Sequence, residues 1–345
     1  MVVGLLVAAA VELSDLGAPP APPPGAREIR AAVETQPVPS GGDAADDAAI
    51  WVNRDRPRRS TVIGTDKQGG IAVYDLAGRL LQYRADGDIN NVDLRAQALP
   101  DAPETALVAA TNRTTQTVDL YRIEPEKRIL KPIQLGAAAP SLAVNGICMY
   151  RVPGSRRDYG FFVTGLRGEV EQWRLTPLAR GQLRAEPVAA FRFGGPTEAC
   201  VVDESSGKAY FAEERVGIWS VLLAGRAKRP NKVAAVSEAG PLVADVEGLA
   251  VLHRPGPDLL IASSQGNSSY ASYRVGSATY AGSYVIAAGE VDGAEDTDGL
   301  DVTAQPLGPR FPNGLLVVQD GSNDGGNQNF KLVRLCRRAA LSCGR

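Results

Sequence analysis

Acidic residues recur at similar places along the chain, most of them beside apolar runs of the kind that form strands. They are Glu34, Asp43, Asp46, Asp47, Asp93, Glu198, Glu213, Glu214, Asp245, Glu247, Asp296, Asp298 and Asp320. A carboxylate held near a protein core without a partner is costly, and a bound cation would offset that cost. Oxygen ligands without histidine or thiolate suit Ca²⁺ or Mg²⁺, and six to eight ligands from flexible loops favour Ca²⁺. The alternative for each residue is a solvated carboxylate in a turn.

Basic residues occur in the same relative position, in the polar turns that follow three of these apolar runs. They are Lys67, Arg113 and Arg167. Lysine and arginine bind phosphate oxygens, and arginine can do so through two hydrogen bonds at once. Carboxylates that hold Ca²⁺, next to cations that hold phosphate, predict a site for a polyanionic phosphate ester. The alternative is that each is only a charged hairpin tip.

Residue counts exclude several other chemistries. The chain has 345 residues and a single histidine, His253, which rules out sites that need two histidine ligands or two catalytic imidazoles. With 37 basic and 39 acidic residues the net charge is −2, whereas nucleic-acid binding calls for a basic excess. We therefore expect no nucleic-acid partner.

One sequence unit recurs six times: an apolar run, a polar turn, and a strand that alternates apolar and polar residues. The units begin at Thr61, Thr105, Tyr159, Ala209, Leu259 and Gly314, so their starts lie 44 to 55 residues apart. β-rich units at this period are typical of propellers. We predict an all-β fold, a six-bladed β-propeller of four-stranded antiparallel blades, over residues 29–345. Polar residues far apart in sequence would then meet at one end of the central channel.

The first 28 residues differ in composition from the rest of the chain. The apolar run 1–10 ends with Ala8 and Ala10, like a secretory signal peptide, and a proline-rich stretch follows at 17–25. The apolar run is too short to span a bilayer, so we expect no membrane span. We expect residues 1–28 to be removed or to lie outside the fold, and the protein to be secreted or periplasmic. A disordered apolar tail is the alternative.

The four cysteines are Cys148, Cys200, Cys336 and Cys343, and no pair has zinc-site spacing. An even number in an exported chain suggests two disulfides, with Cys336–Cys343 closing a short C-terminal loop and Cys148–Cys200 remaining. Four buried free thiols are the alternative, and sequence alone does not fix the connectivity.

Several ordered segments resemble one family, the β-propeller phytases, which are alkaline and calcium-dependent. The resemblance covers about residues 30–335. The matching segments are Asp46-Asp-Ala-Ala-Ile-Trp-Val-Asn53, Val62-Ile-Gly-Thr-Asp-Lys-Gln-Gly-Gly-Ile-Ala-Val-Tyr-Asp75, Asn90-Asn-Val-Asp-Leu-Arg95, Thr197-Glu198, Ala212-Glu-Glu214, Gly217-Ile-Trp219, Ala244-Asp-Val-Glu-Gly-Leu249, Ser263-Ser-Gln-Gly-Asn-Ser-Ser-Tyr270, Asp296-Thr-Asp-Gly-Leu-Asp301, Gln319-Asp-Gly and Asn327-Gln-Asn-Phe-Lys331.

The resemblance implies a phosphoric monoester hydrolase of the 3-phytase type. Such an enzyme releases phosphate from phytate (myo-inositol hexakisphosphate), free or as calcium-phytate, with several Ca²⁺ ions and an activated water. We expect it to act as a monomer.

The resemblance also implies roles for matching positions. The residues similar to ligands or near-ligands of the catalytic calcium ions are Glu34, Asp46, Asp47, Val92 (through its carbonyl), Glu198, Glu214, Asp245 and Glu247. Lys67, Arg113 and Tyr150 are similar to phosphate contacts at the cleavage site. Asp298 and Asn329 are similar to ligands of a structural calcium ion. Either Glu214 or Asp245 would transfer a proton.

The chain departs from the family pattern at three places. Leu166 stands where the family has a second substrate lysine, and Arg167, which follows it, is the candidate substitute. Ala48 replaces a proline after the paired aspartates, and the loop from Asp320 to Asn327 is shorter than in the family. The departure at Leu166 motivates one alternative, a non-catalytic phosphate-binding propeller. A second alternative is a Ca²⁺-dependent propeller hydrolase of the lactonase or phosphotriesterase type, which would not need Lys67 and Arg113 together.

Overall fold

The computed structural model describes residues 20–96, 105–133, 139–155, 157–178, 182–225, 228–337 and 340–341. These residues form 24 β-strands, and the described helical segments are two 3-10 turns, Pro57–Arg59 and Gln265–Asn267. The all-β prediction is therefore confirmed. In the described part of the chain, no helix is both long and apolar enough to cross a membrane. Strand β1 begins at Arg27, two residues before the predicted start of the fold, and ends at Glu34.

Four sheets contain four antiparallel strands each, in sequence order. The first consists of β2 (Ala45–Trp51), β3 (Thr61–Asp66), β4 (Gly70–Asp75) and β5 (Leu80–Arg84). The second consists of β6 (Ile89–Ala96), β7 (Ala106–Asn112), β8 (Thr117–Glu124) and β9 (Ile129–Pro132). The third consists of β10 (Val144–Arg151), β11 (Tyr159–Gly165), β12 (Glu169–Pro177) and β13 (Leu183–Arg192). The fourth consists of β14 (Thr197–Asp203), β15 (Lys208–Glu213), β16 (Gly217–Leu222) and β17 (Asn231–Ala235).

The remaining strands form one eight-stranded sheet in the order β18-β19-β20-β21-β1-β24-β23-β22. Its new members are β18 (Leu249–Leu252), β19 (Leu259–Ser264), β20 (Ser269–Arg274), β21 (Tyr280–Ala287), β22 (Leu300–Thr303), β23 (Leu315–Asp320) and β24 (Asn329–Arg334). Strand β1 joins the two halves: Arg27 to Arg30 pair in parallel with β21, and Ala31 to Glu34 pair antiparallel with β24. The sheets therefore number five, four of them four-stranded blades, whereas six separate blades were predicted.

The first strands of the sheets enclose a central channel. Strands β2, β6, β10, β14, β18 and β22 contact one another in that order, and β22 contacts β2. Each recurring unit of the sequence is the hairpin of the second and third strands of a four-stranded group, such as β3–β4. Consequently the turn after the second strand and the start of the first strand meet at the same end of the channel. We call this end the mouth.

The hydrophobic core consists of six clusters, each shared between neighbouring groups of strands. One contains Ile63, Val73 and Val108, from β3, β4 and β7. Another contains Phe162 and Phe211, from β11 and β15, whose rings meet edge to face. These clusters remove apolar surface from water between the blades, so each blade depends on its neighbours.

Aspartates on the inner strands add polar links between blades. The Asp47 carboxylate accepts a hydrogen bond from the backbone N–H of Val92 (3.1 Å). Asp93 and Asp301 repeat the arrangement: their carboxylates accept hydrogen bonds from the backbone N–H groups of Met149 (2.7 Å) and Ile50 (2.8 Å), respectively. The first strands are thus tied to one another at fixed register.

A disulfide joins Cys148 on β10 to Cys200 on β14, with 5.5 Å between their Cα atoms. This confirms the predicted pair Cys148–Cys200. The other predicted pair includes Cys343, which lies outside the described residues. The bridge connects inner strands of neighbouring blades, two residues beyond Glu198.

We predict that replacing both cysteines by alanine, Cys148→Ala/Cys200→Ala, lowers the free energy of unfolding by about 4 kcal/mol. The bridge spans 52 residues, and a link of that length removes much conformational entropy from the unfolded chain. Thermal melting without reductant measures the effect. Reduced wild-type protein keeps both sulfur atoms and separates loss of the link from loss of side-chain volume. An unchanged melting temperature in both samples would contradict the prediction.

Candidate metal and phosphate site

The inner strands change register at the mouth, and the polar side chains of the site lie at these irregularities. The register shifts occur between Ala45 and Ala48, Ile89 and Val92, Val144 and Ile147, and Thr197 and Cys200. The residues inside these four bulges include Asp46, Asp47, Asn90, Asn91, Asn145 and Glu198. A bulge bends the strand and re-aims a side chain. The sequence therefore places one or two polar groups per blade over the channel.

Threonine hydroxyls fix the bulges of successive blades relative to one another. Three threonines, each the penultimate residue of a second strand, share this role. Each hydroxyl accepts a hydrogen bond from a backbone N–H in the bulge of its own blade and donates one to a backbone carbonyl in the bulge of the next blade. The accepted bonds run from Asp47 to Thr65 (2.9 Å), Asn91 to Thr111 (3.0 Å) and Gly146 to Thr164 (2.9 Å). The donated bonds run from Thr65 to Asn90 (2.6 Å), Thr111 to Asn145 (2.6 Å) and Thr164 to Glu198 (3.1 Å).

Three glutamates form the most concentrated group of carboxylates among the described residues. One carboxylate oxygen from each of Glu198, Glu214 and Glu247 lies within 4.8 Å of the others. Burial and the charge of Asp46 raise the pKa of Glu198, and burial and Glu198 raise the pKa of Glu247. Burial and the charge of Asp245 raise the pKa of Glu214. Three mutually repelling oxygen ligands at this spacing fit a hard divalent cation.

Two asparagines position Glu198. The Asn90 amide donates to one carboxylate oxygen (2.7 Å) and the Asn145 amide donates to the other (3.0 Å). The Asn145 oxygen accepts a hydrogen bond from the Arg113 guanidinium. Within the described part of the chain, Asn90 Oδ1 and Arg113 Nε are buried without a hydrogen-bond partner. They offer one further oxygen ligand and one further donor at the mouth.

Lys67 neutralises a second set of carboxylates. Its ammonium lies 2.8 Å from Asp43, 3.0 Å from Asp46 and 3.2 Å from Asp298. Although burial alone would lower it, Asp46 and Asp298 raise the pKa of Lys67 well above its usual range. Burial and Asp46 raise the pKa of Asp298 to about 8. The Gln265 amide holds the other Asp298 oxygen at 2.5 Å.

Asp245 and Asp47 complete the acidic mouth. Asp245 pairs with the exposed Arg215 (3.4 Å), and the next residue, Val246, donates its N–H to the Glu214 carbonyl (3.0 Å). Burial raises the pKa of Asp47 well above its usual value. A cavity of about 330 Å³ continues from Asp47, Glu198 and Glu247 into the channel.

The structure places two predicted site residues in a separate group. Glu34 lies 2.8 Å from the fully buried ammonium of Lys331, and Asp320 lies 3.1 Å from it. Asn329 donates to Glu34 at 3.4 Å. Glu34 ends β1 and Asn329 begins β24, which are outer strands, whereas Asp298 directly precedes an inner strand. The predicted grouping of Glu34 with the catalytic ligands, and of Asp298 with Asn329, therefore differs from the observed one.

Tyr150 and Arg167 also lie apart from the residues they were expected to join. Tyr150 is 2% exposed among aromatic side chains, and its hydroxyl accepts a hydrogen bond from Gln172 (2.7 Å). It is thus part of the core and does not face Lys67 and Arg113. Arg167 is exposed in the turn after β11, beside Leu166, which is 49% exposed. Val92 is buried on β6, and its N–H holds Asp47.

Three residues of the site received no role from the sequence: Asn90, Asn145 and Gln265. Asp43 was counted only among the recurring acidic residues. Asn90 and Asn145 occupy the first position inside an inner-strand bulge, the position that Asp46 and Glu198 occupy in other blades. Aligning the blades on their first strands would have found these two. Gln265 lies in the 3-10 turn Gln265–Asn267, where no repeat signal marks it.

Comparisons with known proteins give one consistent result. A family model described as Phytase matches residues 2–340. A 3-phytase of Bacillus subtilis (strain 168) is 38% identical over 317 residues, which covers 89% of this chain and 83% of that protein.

We predict that the stability of the metal-free protein falls as pH rises from about 4 to about 8. Burial raises the pKa values of Asp47, Glu198, Glu247 and Asp298, the last from 3.8 to about 8. The folded state therefore binds more protons than the unfolded state in this range, and stability falls with pH. Urea midpoints at pH 5 and pH 8 measure this. Added CaCl₂ should raise the midpoint at pH 8 more than at pH 5; a midpoint that rises with pH without metal would refute the interpretation.

We predict that Asn145→Ala weakens Ca²⁺ binding about tenfold or more, because Glu198 loses a hydrogen bond that orients it. Isothermal titration calorimetry, in which CaCl₂ is added to metal-free protein, measures the affinity. Asn313→Ala is the matched control: the amide of this asparagine also donates a hydrogen bond, here to the Leu335 backbone carbonyl, but it lies in the β22–β23 connection. Equal Ca²⁺ affinities in the two variants would show that Asn145 does not support a metal ligand.

Proposed function

This chain belongs to the phytase family, and from that we propose that it releases phosphate from phytate at the acidic mouth, with the help of Ca²⁺. The observation that carries the proposal is the juxtaposition of two opposite sets of groups. Three glutamate oxygens within 4.8 Å of one another lie beside a lysine and an arginine at the same end of the channel. One set suits cations, and the other suits phosphate oxygens.

The residues that would hold Ca²⁺ are Asp46, Asp47, Glu198, Glu214, Asp245 and Glu247. Their donor set supports this, since it consists of carboxylates that repel one another and contains neither histidine nor thiolate. When bound, Ca²⁺ supplies positive charge to phosphate oxygens and to the attacking water. Asn90 and Asn145 keep the Glu198 carboxylate oriented during this process.

Lys67 and Arg113 supply the charge that a transferred phosphoryl group requires on its equatorial oxygens. Arg113 is anchored through Asn145 and keeps a buried Nε without a partner among the described residues. Lys67 is held by Asp46 and Asp298, so an incoming phosphate competes with these carboxylates for its ammonium. Both cations therefore lie in place before substrate binds.

Proton transfer falls to Glu214 or Asp245, of which the structure favours Glu214. Burial and the neighbouring Asp245 raise the pKa of Glu214, which lets it keep a proton closer to neutral pH. A carboxyl group of this kind can protonate a leaving alkoxide. Asp245, in contrast, is paired with Arg215.

We propose that the second contact to substrate phosphate, which the family makes through a lysine, is weak in this protein. Leu166 is 49% exposed where that contact would lie, and the neighbouring Arg167 is exposed in the turn. Neither side chain is held toward Arg113 by a described hydrogen bond. The protein should then prefer substrates with several phosphates over simple phosphate esters less strongly than relatives that have a lysine at this position.

Three further proposals concern the whole protein. We count the two halves of the eight-stranded sheet as two blades, giving six, because six first strands form the closed ring and six hairpins recur. We propose export to a secreted or periplasmic location, which the apolar N-terminal run and the disulfide support. We also propose that the protein acts as a monomer.

The decisive test is release of phosphate from phytate with CaCl₂ and after chelation. We expect turnover only with Ca²⁺. Arg113→Ala should lower kcat/KM by roughly 10- to 100-fold, the loss expected for one charge-assisted contact. Arg274→Ala, which removes an exposed arginine from the end of β20, should leave it unchanged. Turnover that survives exhaustive chelation would reject the metal role, and lactone hydrolysis without phosphate release would favour the alternative enzyme class.

A further inference from the structure

Five arginines surround a groove of about 430 Å³ that is separate from the site described above. They are Arg58, Arg59, Arg79, Arg128 and Arg310. We call this feature the arginine groove. The lining contains one carboxylate, that of Asp75, so guanidinium groups outnumber carboxylates five to one.

The arginine groove lies at the end of the ring opposite the mouth. Strand β4 follows the Lys67 turn at the mouth and runs to Asp75 at the far end. Arg58 and Arg59 lie in the β2–β3 connection, which follows the far end of β2. Arg310 lies in the corresponding connection β22–β23, and Arg128 lies in β8–β9, which, like the Arg79 turn β4–β5, joins a third strand to a fourth at the far end. Separate connections thus bring these cations together, although they are distant in sequence.

Most arginines of the groove lack an ion-pair partner among the described residues. The Asp75 carboxylate pairs with Arg79 (2.8 Å) and also accepts the backbone N–H groups of Ala77 and Arg79. Arg59 donates to the backbone carbonyl of Glu126 at 2.6 Å. Among the described residues, Arg79 is the groove arginine that forms an ion pair. The remaining four form no ion pair there, and the opposing charges that act on Arg59 and Arg310 are those of Glu126 and Glu290, outside the groove.

Two buried donors in the groove lack partners. Arg59 Nε and Arg128 Nε are both shielded from solvent, and neither has a hydrogen-bond partner in the described part of the chain. Burial and the charge of Arg59 lower the pKa of Arg128, as expected where positive charge is in excess. A buried N–H group without an acceptor is costly, so the groove is short of anionic oxygen atoms.

The chemistry of the lining indicates which anion would fit. Leu76, Leu307 and Pro309 form apolar parts of the groove, and contacts to guanidinium groups strengthen where water is partly excluded. A planar carboxylate is satisfied by one arginine fork, whereas a tetrahedral phosphate presents oxygens in several directions. Converging arginines from different connections suit an anion with more than one phosphate.

We propose that the arginine groove is a second anion site, which binds a multiply phosphorylated ester without Ca²⁺ and without hydrolysing it. The groove lacks the carboxylate cluster that marks the mouth, so it has no means of holding a metal for catalysis. Phytate or its partly dephosphorylated products are such esters, a choice that rests on the proposed function. The anion-binding property itself does not depend on it.

The test uses the full-length protein stripped of metal, because without Ca²⁺ the acidic mouth repels polyanions. Isothermal titration with phytate at 150 mM salt should show binding to wild-type protein, weakened at least tenfold in Arg59→Ala/Arg128→Ala. Arg184→Ala is the matched control, an exposed arginine on β13 paired with Glu186, and should bind like wild type. Orthophosphate should bind more weakly than phytate, since it engages fewer arginines.

Two outcomes would overturn the proposal: no binding of phytate to metal-free wild-type protein, or equal binding by the double variant and wild type. Orthophosphate binding as tight as phytate would refute the multiply phosphorylated ligand. Melting curves check that the double variant is folded. With saturating Ca²⁺, its initial rate on phytate should equal that of wild type. Failure of hydrolysis in both proteins would count against the proposed function and leave the groove result standing.

Discussion

Repulsion between partly buried carboxylates at the mouth is the constraint on which the rest of this structure depends. Asp46, Glu198, Glu247 and Asp298 each lie near another carboxylate, and burial leaves little water to screen them. Such a group of charges needs cations, hydrogen-bond donors or protons. The protein supplies an ammonium at Lys67 and amide donors at Asn90 and Asn145, and leaves Glu198, Glu214 and Glu247 for a metal.

Hydrogen bonds of the backbone hold these carboxylates in place against their mutual repulsion. Each inner-strand bulge exposes a polar residue to the channel, and a bulge alone would leave unpaired N–H and C=O groups. In three blades, the threonine near the end of the second strand accepts a hydrogen bond from one such N–H and donates to a C=O across the blade boundary, as Thr111 does between Asn91 and Asn145. The same bonds that satisfy the backbone therefore fix the distance between ligands from different blades. Function and blade packing share one set of contacts.

The sequence predicted strand content and the recurring hairpins, because period-2 alternation and repeated turns are local signals. The pair Cys148–Cys200 was reached differently, as the cysteines that remain once Cys336 is assigned to Cys343. The sequence predicted less well which polar residues would meet. The resemblance grouped Asp298 and Asn329 as ligands of one structural calcium ion, yet one precedes an inner strand and the other begins an outer one. Tyr150 shows the limit of a resemblance, since its side chain lies in the core. Contacts between blades depend on register and bulges, which sequence spacing does not reveal.

The net charge of −2 conceals a strong separation of charge along the channel axis. Carboxylates gather at the mouth, where second strands end and first strands begin, while the arginines of the groove gather in the connections at the opposite end. The acidic end attracts cations and repels a free polyanion until metal is bound, whereas the basic end attracts that polyanion at once. Under the proposed function, substrate capture at the mouth is therefore conditional on metal, whereas anion capture at the proposed groove site is not. The propeller makes this possible because alternate loops of each blade emerge at opposite ends, so each end can evolve its charge independently.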